Sequence, residues 1–180
     1  IPLVVRIPGT KGGMIDQQLV SSVDFAPTVL NLAKVAVPSH LQGRAFLGGN
    51  LSAPHDYVFG ARDRMDERYD IIRAVRGSRY RYIRNFEPLK PYYQYMNTPE
   101  KGATMKEIRR AEREGTLTEV GKLFSAPRKP VEELYDVQAD PHEVRNLAGD
   151  SKYAGELKGM REALAQWQRK IGDIGLLPEA

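Results

Sequence analysis

The 180-residue sequence contains no cysteine. That excludes disulfides, a zinc–thiolate centre and a cysteine-derived nucleophile within the chain, while leaving the redox compartment open. Histidine is scarce too: only His40, His55 and His142 occur, none at metal-binding spacing from another histidine or a carboxylate cluster. No self-contained metal site is expected, and His142, within Asp140-Pro-His-Glu143, reads as part of a turn. There is no G-x-S-x-G, no P-loop and no G-x-G-x-x-G, so nucleophile-elbow and phosphate-cradling chemistry have no signature here. No apolar run reaches the roughly 18 residues of a membrane-spanning helix, and no signal-peptide pattern is visible. The chain also lacks an initiator Met. It opens Ile1-Pro-Leu-Val-Val5, and a buried strand over Ile1–Ile7 would need neighbours on both sides, so the tail of a longer protein is expected.

What is present is ordinary for a globular domain: 41% apolar and 28% charged residues. The net charge of +4 is mildly basic and favours an anionic partner without making nucleic acid the default. A strand over Leu3–Ile7, closed by Pro8-Gly9, leads through a polar loop to a helix over Asp24–Lys34. There Asp24 is the expected N-cap, and Phe25, Val29 and Leu32 form one apolar face. Residues 1–50 thus read as a strand–helix unit with a connector, and residues 51–180 as a second domain.

In that second part Tyr57–Ala61 is a strand candidate. The runs Ile71–Arg76 and Arg79–Asn85 flank Gly77-Ser78, which fits a two-residue hairpin loop with Arg73 facing Tyr82. The hairpin spans 71–85. Thr98-Pro99-Glu100 starts a helix, Met105–Glu114 forms a charged one, and Glu133–Asp136 is a short strand. Asp150 caps the strongest helix, 151–172, whose apolar positions Tyr153, Leu157, Met160, Leu164, Trp167 and Ile171 repeat at spacings of four and three. The fold class is therefore α+β: an antiparallel sheet of about four strands packed by a long C-terminal helix, preceded by a strand–helix unit of a larger α/β domain.

Eight of the eleven residues in Gly60-Ala-Arg-Asp-Arg-Met-Asp-Glu-Arg-Tyr-Asp70 are ionisable. Read as a loop between strands, it has two interpretations. Arg62 and Arg64 supply guanidinium forks for an anion, and Asp63 and Asp66 supply carboxylates for sugar hydroxyls. Alternatively it is a solvated turn with internal ion pairs. His40 with Arg44, in a Pro/Gly-bounded connector, is a second anion-binding candidate set against the same plain alternative. Arg79-Tyr-Arg-Tyr-Ile-Arg-Asn-Phe86 interleaves basic and aromatic residues, as a nucleic-acid-binding ribbon does, but so does a strand with one wet face. A protein-interaction module docking through the long helix is a third class.

Several segments, in order along nearly the whole chain, resemble the C-terminal part of the sulfatase family within the alkaline phosphatase superfamily. Ile1-Pro-Leu-Val-Val-Arg-Ile-Pro-Gly9 resembles its "VPLIVRWPG" strand, Leu19-Val-Ser-Ser-Val-Asp-Phe-Ala-Pro-Thr-Val-Leu30 its "LVSLVDLAPTLL" helix, and Leu41-Gln-Gly-Arg44 its "LQGRS". Glu132-Glu-Leu-Tyr-Asp136, Asp140-Pro-His-Glu143 and Asn146-Leu-Ala148 resemble "ELYDLxxDPxExxNLA". Arg79–Phe86, the Tyr-rich loop after it and the closing helix with Trp167-Gln168 look closest to the heparan N-sulfatase (sulfamidase) branch and its bacterial relatives.

The resemblance implies hydrolysis of sulfate esters or sulfamates by a formylglycine made from a C/S-x-P-x-R motif beside Ca²⁺. This chain has no such motif and no matching acidic cluster, and the active-site Lys that precedes the family's first strand would fall upstream of Ile1. No catalytic or metal-binding residue carries over, and the chain alone is expected to be inactive. The candidate substrate-binding residues are Arg62, Asp63, Arg64, Asp66, His40 and Arg44. The implied partners are a catalytic N-terminal domain of the same protein and a sulfated small molecule or glycan, with no nucleic acid and no membrane. Self-association through an exposed strand edge is a further expectation.

Overall fold

The structure, a computed structural model, describes residues 3–177, which divide into two compact units between His55 and Asp56.

In the first unit no strand forms over Leu3–Ile7; Ile1 and Pro2, which begin the expected buried run Ile1–Ile7, lie outside the described residues. Leu3, Val4 and Val5 are exposed, and the described residues of this unit contain no strand to complete a ladder. A 3-10 turn at Ser22–Asp24 runs into helix α1, Phe25–Leu32. The helical stretch starts earlier than expected. Asp24 therefore reaches back, accepting from the Ser21 N–H at 2.7 Å, instead of capping α1 with its side chain.

The buried face of α1 is also the opposite of the one expected. Pro27, Thr28 and Asn31 are buried, whereas Phe25, Val29 and Leu32 are 45%, 64% and 48% exposed. Hydrogen bonds explain the choice. Thr28 Oγ1 accepts from the Phe46 N–H at 3.1 Å, and Asn31 Nδ2 donates to the Leu47 carbonyl at 2.7 Å, so the segment after Gly43 docks on the polar side. Gly43 permits this approach, because a Cβ there would sit 2.0 Å from the Val23 carbonyl oxygen.

The second unit is built on a four-stranded antiparallel sheet in sequential order: β1 Val58–Met65, β2 Arg68–Arg76, β3 Tyr80–Asn85 and β4 Glu132–Asp136. Three helices, α2 Asn97–Glu100, α3 Ala103–Glu114 and α4 Glu119–Phe124, lie in the connection between β3 and β4. Asp150 accepts from the Lys152 N–H at 3.0 Å, starting a 3-10 turn that continues as α5, Ala154–Ile171, which ends at Gly172 in the left-handed region. Leu157, Met160 and Leu164 bury against Val75, Tyr82, Leu134 and Leu147, and Trp167 stacks on Phe59 with centroids 4.9 Å apart. Ile171, the last residue of the stripe, is exposed.

The β2–β3 turn differs from the expected one. Gly77 N–H donates to the Tyr80 carbonyl at 2.9 Å, so Ser78 and Arg79 are the central residues and Val75 lies across from Tyr82. Gly77 does not take a positive φ, so it is not the loop's first residue. The register moves by two, which keeps every side chain on its face but places Arg84, not Tyr82, opposite Arg73.

Candidate functional site

The charged stretch Gly60–Asp70 is not a loop. It forms the end of β1, a tight turn at Asp66-Glu67 and the start of β2. Asp66 turns the chain at φ 47°, a left-handed conformation that Asp tolerates better than most residues. The register shifts between Arg62 and Arg64, leaving Asp63 opposite two residues of β2, Asp70 and Ile71, so the bulge lies on β2. β1 is an edge strand, and its charged residues protect such an edge from further pairing.

Alternation along β1 puts Asp63 on the same face as Ala61, which lies across from Arg73. Arg73 occupies a core-facing position of β2 between Ile71 and Val75 and is 1% exposed. Its Nε and Nη2 donate to Asp173 at 2.8 Å each, and Nη1 donates to the Arg62 and Ile72 carbonyls at 3.0 Å. Asp63 Oδ1 lies 2.7 Å from Nη1, a contact of charge without hydrogen-bond alignment. The Arg73 guanidinium holds the Asp173 carboxyl well below the usual carboxylate range, against the effect of burial, with Gln168 and the Gly175 N–H donating as well. Gly175 closes over this pair: a Cβ there would fall 1.9 Å from Arg73 Nη2.

The tip is tied from the other side. Arg68 Nε donates to the Tyr95 carbonyl, and the Asn97 N–H donates to Glu67 Oε1 at 3.4 Å. Arg64 Nε donates to the Asp66 carbonyl at 3.0 Å. Arg64 and Asp66 are exposed at the tip, Arg62 is half-buried, and Asp63 is engaged by Arg73. Four of the six candidate residues therefore share one hairpin. His40 and Arg44 belong to the first unit. There His40 is exposed in a turn, and Arg44 Nη1 donates to the Ala53 and Pro54 carbonyls at 3.2 Å each.

Three buried pairs escaped the sequence reading. Asp24 accepts from the Arg44 N–H at 2.7 Å and stands 3.0 Å from His55 Nε2, so one carboxylate ties together the start of α1 and residues 44–55. Lys129 Nζ contacts both Asp70 oxygens at 2.8 Å with both side chains fully buried, anchoring the segment before β4. Arg73–Asp173 is the third. A charged residue alternating with Ile71 and Val75 was the available signal for Arg73; nothing local marks Asp173 as its partner.

The basic-aromatic string on β3 is accounted for internally. Arg79 pairs with Asp136, Arg81 with Glu143 and Arg84 with Glu132, while Tyr82 packs in the core. This leaves the nucleic-acid reading without its ribbon. The stripe of α5 is likewise buried on the sheet and is not offered to a partner.

Comparison with known proteins decides the family. The family described as N-sulphoglucosamine sulphohydrolase, C-terminal, matches residues 1–119. The chain belongs to this sulfatase C-terminal family. A further similarity, over 99% of the chain at 39% identity, is to an ulvan-active sulfatase of Formosa agariphila. Human N-sulphoglucosamine sulphohydrolase is 27% identical over 96% of the chain. The chain spans 30% and 37% of the lengths of these two relatives. A solved 2-O GAG sulfatase superposes with a TM-score of 0.56 at 26% identity, covering 83% of this chain and 25% of that one.

The sequence of this sulfatase C-terminal family member has neither a cysteine nor an S-x-P-x-R pattern from which formylglycine could be made, and among the described residues no group of three or more His, Asp or Glu is placed to hold a calcium ion.

Proposed function

We propose that this chain is the C-terminal segment of a sulfatase that removes sulfate from esters or sulfamates of a glycan, and that the Arg62–Asp66 hairpin faces the substrate. The carrying observation is the contrast within that hairpin. Its base is fixed by the buried Arg73–Asp173 pair, while Arg64 and Asp66 stand exposed on its tip. A guanidinium on a rigid support binds an anion without the cost of ordering a loop. The names of the relatives, one active on ulvan and one on N-sulphoglucosamine, support a sulfated glycan as substrate. His40 and Arg44, in the first unit, are the second candidate pair.

The hydrolytic step belongs to residues outside this chain, so the chain alone is inert. Incubating it with an aryl sulfate and Ca²⁺ gives no turnover; metal-dependent turnover would refute this assignment. In the intact enzyme, Arg64→Ala raises KM for a sulfated glycan about tenfold, the loss expected for one charge-assisted contact. Unchanged kinetics would return the tip to a plain solvated turn.

A further inference from the structure

The arginines of the sheet divide into two sets. From Arg64 to Arg84, most donate to a carbonyl or face a carboxylate, as Arg73 does with Asp173 and Arg81 with Glu143 at 2.7 Å. The guanidinium groups of Arg62 and Arg76 make no hydrogen bond and no close ion pair among the described residues. Even so, Arg62 Nε and Arg76 Nη1 are withdrawn from solvent without a hydrogen-bond partner. A buried donor left unpaired is costly, and a charged one more so.

Register places these two residues together. Arg62 lies across from Ile72, Gly60 from Ala74, and Val58 from Arg76, so both arginines project from the sheet face turned away from α5. Between them the floor is small. Gly60 is exposed, and a Cβ added to it would meet only the Ala74 Cβ, at 4.0 Å. Arg81, across from Arg76, adds positive charge, though Glu143 partly offsets it. Burial pulls the Arg76 guanidinium below its ordinary range, Glu143 opposing and Arg81 adding to the effect.

We infer that Arg62 and Arg76 form an anion-binding subsite, separate from the hairpin tip, that receives sulfate or carboxylate groups of a sulfated glycan lying along this sheet face. Arg76 lies four residue steps along β2 from Ile72, the position opposite Arg62, about 13 Å along the sheet. Anionic groups on successive sugars reach both positions, whereas one small ion does not. That the anion is carried by a glycan rests on the sulfatase reading above; that the two guanidinium groups call for an anion does not.

The test is calorimetric titration of the protein with a sulfated glycosaminoglycan tetrasaccharide and, separately, with inorganic sulfate. The tetrasaccharide binds more tightly than sulfate, and Arg62→Gln and Arg76→Gln each weaken it about tenfold. Arg113→Gln, an exposed arginine on α3, retains the parent affinity. Arg76→Lys, which keeps the charge but loses the fork, falls between parent and Gln variant and guards against misfolding of the latter. Absence of binding, an equal loss in Arg113→Gln, or equal affinity for inorganic sulfate would each overturn the glycan subsite. So would a lower melting temperature of Arg76→Gln in the intact enzyme with unchanged tetrasaccharide affinity, because carboxylates of the polypeptide would then be the true occupants. Failure of Arg64→Ala to alter KM strikes only the hairpin tip, and failure of this titration strikes only the Arg62–Arg76 face.

Discussion

α5 and α1 both carry an apolar stripe at helical spacing, yet α5 buries Leu157, Met160 and Leu164 against the sheet while α1 leaves Phe25, Val29 and Leu32 exposed. The difference is not in the stripes. α5 has Val75, Tyr82 and Leu134 to cover, whereas in its unit α1 is engaged through Thr28 and Asn31 by residues 43–50. An amphipathic pattern states which side of a helix is apolar; whether that side is covered depends on what else the chain supplies.

The contrast is open to measurement. The largest effect lies in the sheet unit. Lys129→Met leaves the Asp70 carboxylate fully buried without its partner and lowers stability by about 3–5 kcal/mol in denaturant titration. Adding Asp70→Leu recovers much of that loss; no recovery would mean that Lys129 acts chiefly through the Lys90 and Pro91 carbonyls. Leu164→Ala opens a cavity under α5 and costs about 2–5 kcal/mol.

A smaller effect concerns Asp173, which depends on pH. Its carboxyl titrates lower in the folded state than the unfolded value of about 3.9, so its stabilising contribution is complete above that pH and declines as acid carries it towards the folded value. The stability gap between the parent and Asp173→Asn is therefore constant through neutrality and narrows below about pH 4. A gap that widened in acid would contradict the pairing with Arg73. Smallest of all, Val29→Ala on α1 changes stability by no more than about 0.5 kcal/mol. A loss matching that of Leu164→Ala would erase the distinction between the two helices.

Much of the second unit was legible in the sequence. The four-three spacing from Leu157 to Trp167, the cap at Asp150 and the strand Glu133–Asp136 are local patterns, and each appears within a residue or two of its expected place. The family, too, was legible from its short motifs. The hairpin Gly60–Asp70 was not, because charged residues on an edge strand mask the alternation that marks a strand, and Asp66-Glu67 turns the chain without glycine. The register of β2 and β3 slipped by two because Gly77 looked like a loop residue while its backbone is paired with Tyr80. Within the candidate site the residue types were readable and their engagements were not. Asp63 and Arg64 are neighbours in sequence, and alternation along β1 sends the first towards Arg73 while the second goes to the tip.

The closure of Gly175 and Asp173 over Arg73 also sets an order of events during synthesis. Arg73 leaves the ribosome 100 residues before Asp173 does, so over that stretch of synthesis its principal counter-ion has not yet been made. The pair therefore closes only after β1 and β2 have both been synthesised, and the turn at 173–175 is a late-made clasp on an early-made hairpin.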